Sequence, residues 1–166
     1  MNPRPPALAL LALTLAAGCG GESSSDAAHF GVDLLMSQAV ADEVGTFQLV
    51  VLPDGRQRVC TDIQKLCLRQ QVKQDEALVL SDGQGAKGRA LRFPANLTGS
   101  AQDVSIEVPV GRDYVLVIEA ISRAAPPRFL GSSCNYLPEV NASRNDPVLA
   151  APMTLNAVDC DPTFDP

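Results

Sequence analysis

Histidine and tryptophan are scarce in this chain: His29 is the one histidine, there is no Trp, and aromatic residues make up 4% of the 166 positions. A Ser/His/Asp or Cys/His catalytic set needs an imidazole held by packed neighbours. His29 precedes the first periodic segment, where an exposed linker side chain is expected. No C-x-x-C occurs, so a zinc site would lack ligands. Basic clusters are missing as well. Lys and Arg number 13 against 19 Asp and Glu, with no interleaved aromatic stripe, so a phosphate backbone is repelled and nucleic acid is excluded as a partner. The Gly-rich stretch 83–88 lacks the following Lys-Ser/Thr of a phosphate-binding loop. Beyond residue 17 no hydrophobic run approaches the roughly 20 residues that span a bilayer.

What the chain does have begins at its start. Arg4 supplies a positive charge, Ala7–Ala17 is an unbroken apolar run, and Leu15-Ala16-Ala17-Gly18-Cys19 ends that run on small residues and a cysteine. A positive start, a short apolar stretch and small residues before a cut make a secretory signal. With the cysteine added, the segment resembles the lipobox of bacterial lipoproteins, with Ala16 where that family prefers Leu. The resemblance implies removal of residues 1–18, lipidation of Cys19, and a chain held at the membrane by its acyl groups. An ordinary signal peptide cut near Ala17 or Gly18, leaving Cys19 as a free thiol, is the alternative. Gly20, rather than Asp, after the cysteine resembles lipoproteins destined for the outer membrane. Residues 19–29, rich in Gly and Ser, are expected to form a flexible tether.

Loss of Arg4 with the signal leaves twelve Lys/Arg against nineteen Asp/Glu, a net charge of −7. The remaining length suits one domain. Setting Cys19 aside leaves Cys60, Cys67, Cys134 and Cys160, an even set suited to disulfides in an oxidising compartment. Four cysteines allow three connectivities. Pairing of sequence neighbours, Cys60–Cys67 and Cys134–Cys160, is the expectation. Residues seven apart on a continuous helix are about 10.5 Å apart along its axis, so the first pair requires Thr61–Leu66 to turn back.

Val32, Leu35, Met36, Ala39 and Val40 recur at helical spacing, which predicts a short helix over 32–43; a strand across Leu34–Val40 is the rival. From Thr46 the period becomes two, with Phe47, Leu49 and Val51 alternating up to the Pro53-Asp54-Gly55 turn. Arg56–Cys60, Leu66–Val72, Ala77–Leu80 and Arg89–Phe93 read as short strands. Val104, Ile106, Val108 and Val110 alternate with polar or turn residues, and Gly111-Arg112-Asp113 reads as a turn. Tyr114–Ile121 is apolar on both faces except at Glu119, as expected of a central strand covered on both sides. Met153–Ala157 reads as a last strand and Asp161–Pro166 as a frayed tail. Thirteen Pro and twelve Gly agree with many turns. Short strands between turn residues point to a mainly β fold, a single sandwich over 30–160 with a leading helix.

Val108-Pro109-Val110-Gly111-Arg112-Asp113-Tyr114, the apolar strand after it and Phe129-Leu130-Gly131 are similar to a pattern in bacterial envelope domains of immunoglobulin-like or transthyretin-like type. That resemblance implies the architecture and no activity.

The function expected is non-catalytic, with no cofactor and no metal. The chain is read as an envelope lipoprotein, joined to the membrane through lipid on Cys19 and presenting a binding surface to a protein or glycan partner. Loops 53–67, 81–88 and 123–147 are the expected surface. The alternative is a structural accessory subunit whose partner buries the 32–43 helix. A carboxylate hydrolase is a minor alternative, requiring two of Glu107, Glu119 and Glu139 to converge. Glu119 is expected to pair with an Arg such as Arg92 or to mark the end of burial. Asp159, Asp161 and Asp165, and Asp82-Gly83-Gln84-Gly85, lack the spacing of a calcium loop and read as solvated turn acids. Asn96-Leu97-Thr98 and Asn141-Ala142-Ser143 match a glycosylation pattern by chance.

Overall fold

The computed structural model describes residues 27–35, 41–97, 101–142, 148–149, 153–156 and 158–164. The chain folds as a β-sandwich of two five-stranded sheets. Sheet A contains β1 (Ala27–Leu35), β3 (Leu80–Ser81), β4 (Lys87–Gly88), β6 (Ala101–Pro109) and β9 (Val148–Leu149), in the order β4-β3-β6-β1-β9. Sheet B contains β2 (Val44–Leu52), β5 (Leu91–Pro94), β7 (Gly111–Ser122), β8 (Phe129–Val140) and β10 (Thr154–Leu155), in the order β10-β8-β7-β2-β5. Pairing is antiparallel throughout except between β1 and β9. The inner core lies between the sheets: Val32, Val104, Ile106 and Val108 of sheet A meet Phe47, Leu49, Val51, Leu116 and Ile118 of sheet B.

The two-residue period of β2, β6 and β7 places their apolar sets as expected. The reading of β7 as covered on both sides is borne out, with Val115–Ile121 buried throughout. Its second cover is irregular. Residues 53–79 leave β2 and lie across the outer face of sheet B, and the C-terminal segment 158–164 joins them. There Val50, Leu52, Val115, Val117 and Cys134 form a second core with Ile63, Leu68, Ala77 and Phe164. The excursion is built from 3-10 turns at Gly55–Gln57, Leu68–Gln70 and Gln74–Glu76 and a one-turn helix, Cys60–Ile63. Its start is pinned where Asp54 takes a left-handed conformation (φ 58°) and the Arg56 N–H donates to Asp113 Oδ1 at 2.9 Å. A Cβ on Gly55 would stand 2.6 Å from the Tyr114 carbonyl oxygen, so this approach needs glycine.

Several expectations are corrected. Residues 32–35, expected to open a helix, are strand, with β1 paired along its whole length to β6 from Ala27↔Pro109 to Leu35↔Ala101. Apolar residues at 28, 30, 32 and 34 also satisfy a period of two, and the ladder decides between the patterns. Ala41 is helical, and 36–40 lie outside the described residues. Residues 27–29, assigned to the tether, already belong to β1. Arg56–Cys60 and Leu66–Val72 contain helical turns in place of strands, because they cover a sheet rather than extend one. Residues 129–140, assigned to a surface loop, form β8 and pair with β7 from Ile121↔Phe129 to Gly111↔Val140. Arg112 and Asp113 lie within β7 rather than in a turn. Of the tail assigned to 161–166, residues 161–164 are docked, with Phe164 only 1% exposed, and 165–166 lie outside the described residues.

The four cysteines form two disulfides, with the neighbour pairing overturned. Cys60 bonds Cys134 and Cys67 bonds Cys160, with Cα–Cα distances of 5.5 and 6.4 Å. The 60–67 stretch does not fold back on itself. It lies flat on sheet B, so Cys60 meets β8 and Cys67 meets the C-terminal segment. Residues 1–18, Cys19 and the tether up to Asp26 lie outside the described residues.

Candidate functional site

Two arrangements of polar groups stand out against this frame, one buried and one open. The buried one crosses sheet B in register: Arg92 on β5, Gln48 on β2, Glu119 on β7 and Ser132 on β8 are successive cross-strand partners. All project toward the outer face, since Val50 and Val117, two residues along, belong to the second core. Glu119 is 1% exposed and Gln48 fully buried. Gln48 Nε2 donates to Glu119 Oε2 at 2.8 Å and to the Pro162 carbonyl at 2.8 Å. Its Oε1 accepts from the Phe164 N–H at 3.1 Å and from Arg92 Nε at 3.2 Å. Glu119 Oε1 accepts from the Leu68 N–H at 2.7 Å. Arg92 also donates to the Phe164 carbonyl.

Arg92 therefore reaches Glu119 only through Gln48, and the expected direct ion pair is not formed. Burial pushes the Glu119 carboxyl up to about 7, against the opposing pull of the Leu68 N–H and the Gln48 amide. This chemistry clamps the C-terminal segment. A buried acid reached only through other side chains and backbone has no access to a substrate. Glu107 faces the outer side of sheet A, where it meets His29 Nε2 at 3.1 Å, and Glu139 is exposed at the far end of β8. The three glutamates lie on three different surfaces, so the acid pair of a hydrolase does not assemble from them.

The open arrangement is a groove of about 400 Å³ between the edge strand β5 and the beginning of β6, flanked by the turn after β3. Half-buried Phe93, exposed Pro94 and buried Val104 line it together with Asp82, Gln84, Arg92, Asn96, Gln102, Asp103 and Ser105. A smaller recess of about 240 Å³ beside Lys87 and Leu91 shares Asp82, Arg92 and Phe93 with it. Gln102 fixes one wall, accepting from the Asn96 N–H at 2.7 Å and donating to the Pro94 carbonyl at 3.1 Å. Asp82 shapes the turn by accepting from the N–H groups of Gln84 and Ala86. The side chains of Gln84, Asn96, Asp103 and Ser105 have no hydrogen-bond or ion-pair partner among the described residues.

Of the loops expected to carry recognition, 81–88 borders this groove. Loop 53–67 is spent on covering sheet B, and 129–140 of the 123–147 loop are strand β8. Phe93, Asn96, Gln102 and Asp103 were missed by sequence reasoning because two separate segments, on different sheets, bring them together. Gln48 was not singled out in the sequence; the signal that its side of the strand is covered was Val50 and Leu52, apolar on the same side. His29 stands on β1, not in a linker, and is exposed. Asp161 accepts from the Thr163 N–H and pairs with Arg69 at 2.8 Å, and the Thr163 contacts, then Arg69, hold its carboxyl below the ordinary range. Among the described residues no cluster of His, Cys, Asp and Glu has the makings of a metal site. In comparisons with known proteins, the chain has no significant match to any family model, curated protein or solved structure.

Proposed function

We propose that the protein is a lipid-anchored lipoprotein of the bacterial envelope, most consistent with the outer membrane, that binds a glycan in the groove between β5 and β6. The carrying observation is the lining of that groove: unpartnered amide, carboxylate and hydroxyl groups around a half-buried aromatic ring. Sugar hydroxyls need paired donors and acceptors, and the apolar face of a sugar ring needs a flat apolar surface; this lining offers both. A protein partner fits less well, since interfaces of that kind rest on larger apolar or aromatic anchors. The position of the groove supports the anchoring. Ala27, where the tether enters, pairs with Pro109 at one end of β6, whereas the groove is built on Gln102–Ser105 toward the other. Six residues of strand separate Asp103 from Pro109, roughly 20 Å, so the mouth stands away from the anchored end.

The finer architecture belongs to the same reading. An immunoglobulin-like or transthyretin-like sandwich is supported by β6 ending at Pro109, β7 carrying Tyr114 early, and Gly131 lying near the start of the return strand β8. The structural-subunit alternative loses part of its surface, because residues 32–35 are strand rather than an exposed helix.

Two measurements test the proposal. Intact mass of the membrane-extracted protein should show residues 1–18 absent and acyl mass on Cys19; an unmodified Cys19 sinks the anchoring. Titration of the Cys19→Ala chain with neutral hexose and N-acetylhexosamine oligomers should shift the backbone NMR signals of Phe93, Asn96 and Gln102, and Phe93→Ala should weaken binding at least ~10-fold, the loss of one stacking contact. Shifts confined to other surfaces, or none with any oligomer, reject the groove as a glycan site.

A further inference from the structure

We infer that the C-terminal segment Val158–Phe164 is a pH-gated latch over the outer face of sheet B, closed while Glu119 carries a proton and loosened when it is ionised. One side-chain amide makes two of the latch's bonds, beside the Arg92 bond to the Phe164 carbonyl, the Arg69–Asp161 pair and the Cys67–Cys160 disulfide. Gln48 takes the carbonyl before Thr163 and the N–H after it, as a neighbouring strand would, and the Phe164 ring fills the second core beneath. The same amide spends its remaining donor on Glu119. Glu119 also holds the Leu68 N–H, next to the cysteine that bonds Cys160 at the root of the latch. One carboxyl thus touches both the excursion and, through Gln48, the C-terminal segment.

Neutral groups alone contact that carboxyl. Gln48 on β2 and the Leu68 backbone in the excursion hold it, and Ser132 on β8 is its cross-strand neighbour. The charged groups flanking its contacts are Arg92 on β5, Arg69 in the excursion, and Asp159 and Asp161 on the latch; elsewhere in the excursion Arg56 pairs with Asp113, Arg58 with Glu76 and Lys65 with Asp62. Arg92 is engaged with Gln48 and Phe164, and Arg69 with Asp161. No ion pair reaches Glu119 among the described residues. The buried Ser132 hydroxyl, a cross-strand neighbour about 5 Å away at Cβ, lacks a hydrogen-bond partner and so offers an acceptor for a carboxyl proton.

An ionised Glu119 without a cation favours any opening that admits water. Glu119 itself is fixed in the sheet by ladders on both sides, so the cover yields first. With its carboxyl raised by burial to about 7 in the closed state and ordinary in the open one, rising pH favours opening. The open-to-closed ratio should grow on the order of 100-fold between about pH 5 and 8.

Amide hydrogen exchange by NMR on the Cys19→Ala chain, corrected for the intrinsic pH dependence, tests this. Protection at the Leu68 and Phe164 N–H groups should fall on the order of 100-fold across that range, while the Leu116–Ile118 amides of β7 stay protected. Glu119→Gln should remove the pH dependence, though its amide nitrogen cannot accept as the second carboxyl oxygen does; Asp161→Asn should leave the dependence in place. Latch amides that follow β7 at every pH, or the same dependence in Glu119→Gln, overturn the latch. A carboxyl-carbon titration of Glu119 in the otherwise unaltered chain serves if the Gln variant does not fold, and an ordinary midpoint there overturns it too.

Discussion

The outer faces of the two sheets differ in what they carry. Sheet A presents His29, Asp103, Ser105 and Glu107, which are exposed or half-buried and need no cover. Sheet B presents Val50, Leu52, Val115 and Val117, which are buried under residues 53–79 and the C-terminal segment. The covering segments have no continuous ladder of their own on that face. Two disulfides, Cys60–Cys134 and Cys67–Cys160, and the Gln48 clamp do the fastening that hydrogen-bonded strands do in sheet A. A sheet with one wet face is complete once it packs on its partner, whereas a sheet apolar on both faces recruits whatever chain is near.

The largest expected effect comes from removing that fastening. Reducing both disulfides should cost about 2–5 kcal/mol for each long loop opened, and urea unfolding should then separate into loss of the cover followed by loss of the sandwich. A single transition of unchanged midpoint would show that the cover is held by packing alone.

Next is pH. The folded-state carboxyl of Glu119 is raised to about 7 from an ordinary value of 4.5. Between those values the folded chain binds more protons than the unfolded one, so stability is fully present below the lower value and declines as pH rises through the window. The total is about 3 kcal/mol, and Glu119→Gln should flatten that part of the denaturant-midpoint profile. The smallest effect belongs to sheet A. Glu107→Gln removes a pair whose histidine is 70% exposed, and its stability change should stay within about 0.5 kcal/mol. A larger loss would mean that sheet A's outer face is not the passive one.

Where a strand's own residues state their environment, the sequence was readable. Val104–Val108 announces one wet face, and Val115–Ile121 with its single acid announces two covered ones. β8 was not legible, because Gly131, Ser132, Ser133, Asn135 and Pro138 carry little strand preference and the ladder with β7 overrides them. β1 was misread because its apolar spacing fits two periods. Glu119 could be singled out, but its partners Gln48 and Leu68, and the Pro162 and Phe164 groups that Gln48 holds, come from three distant segments. The groove is similarly assembled from the turn after β3, the edge strand β5 and the start of β6, so no local motif marks it.

The crossed disulfides impose an order on oxidation. Cys60 and Cys67 lie seven residues apart and are made well before Cys134 and Cys160. Closing so short a loop costs less entropy than closing either native one, so the first bond an oxidant makes is one that the finished protein lacks. Reaching the native pairs then depends on thiolate attack that reshuffles it. Oxidation of this small domain is therefore an editing problem, with a Cys60–Cys67 bond as the one to be rearranged.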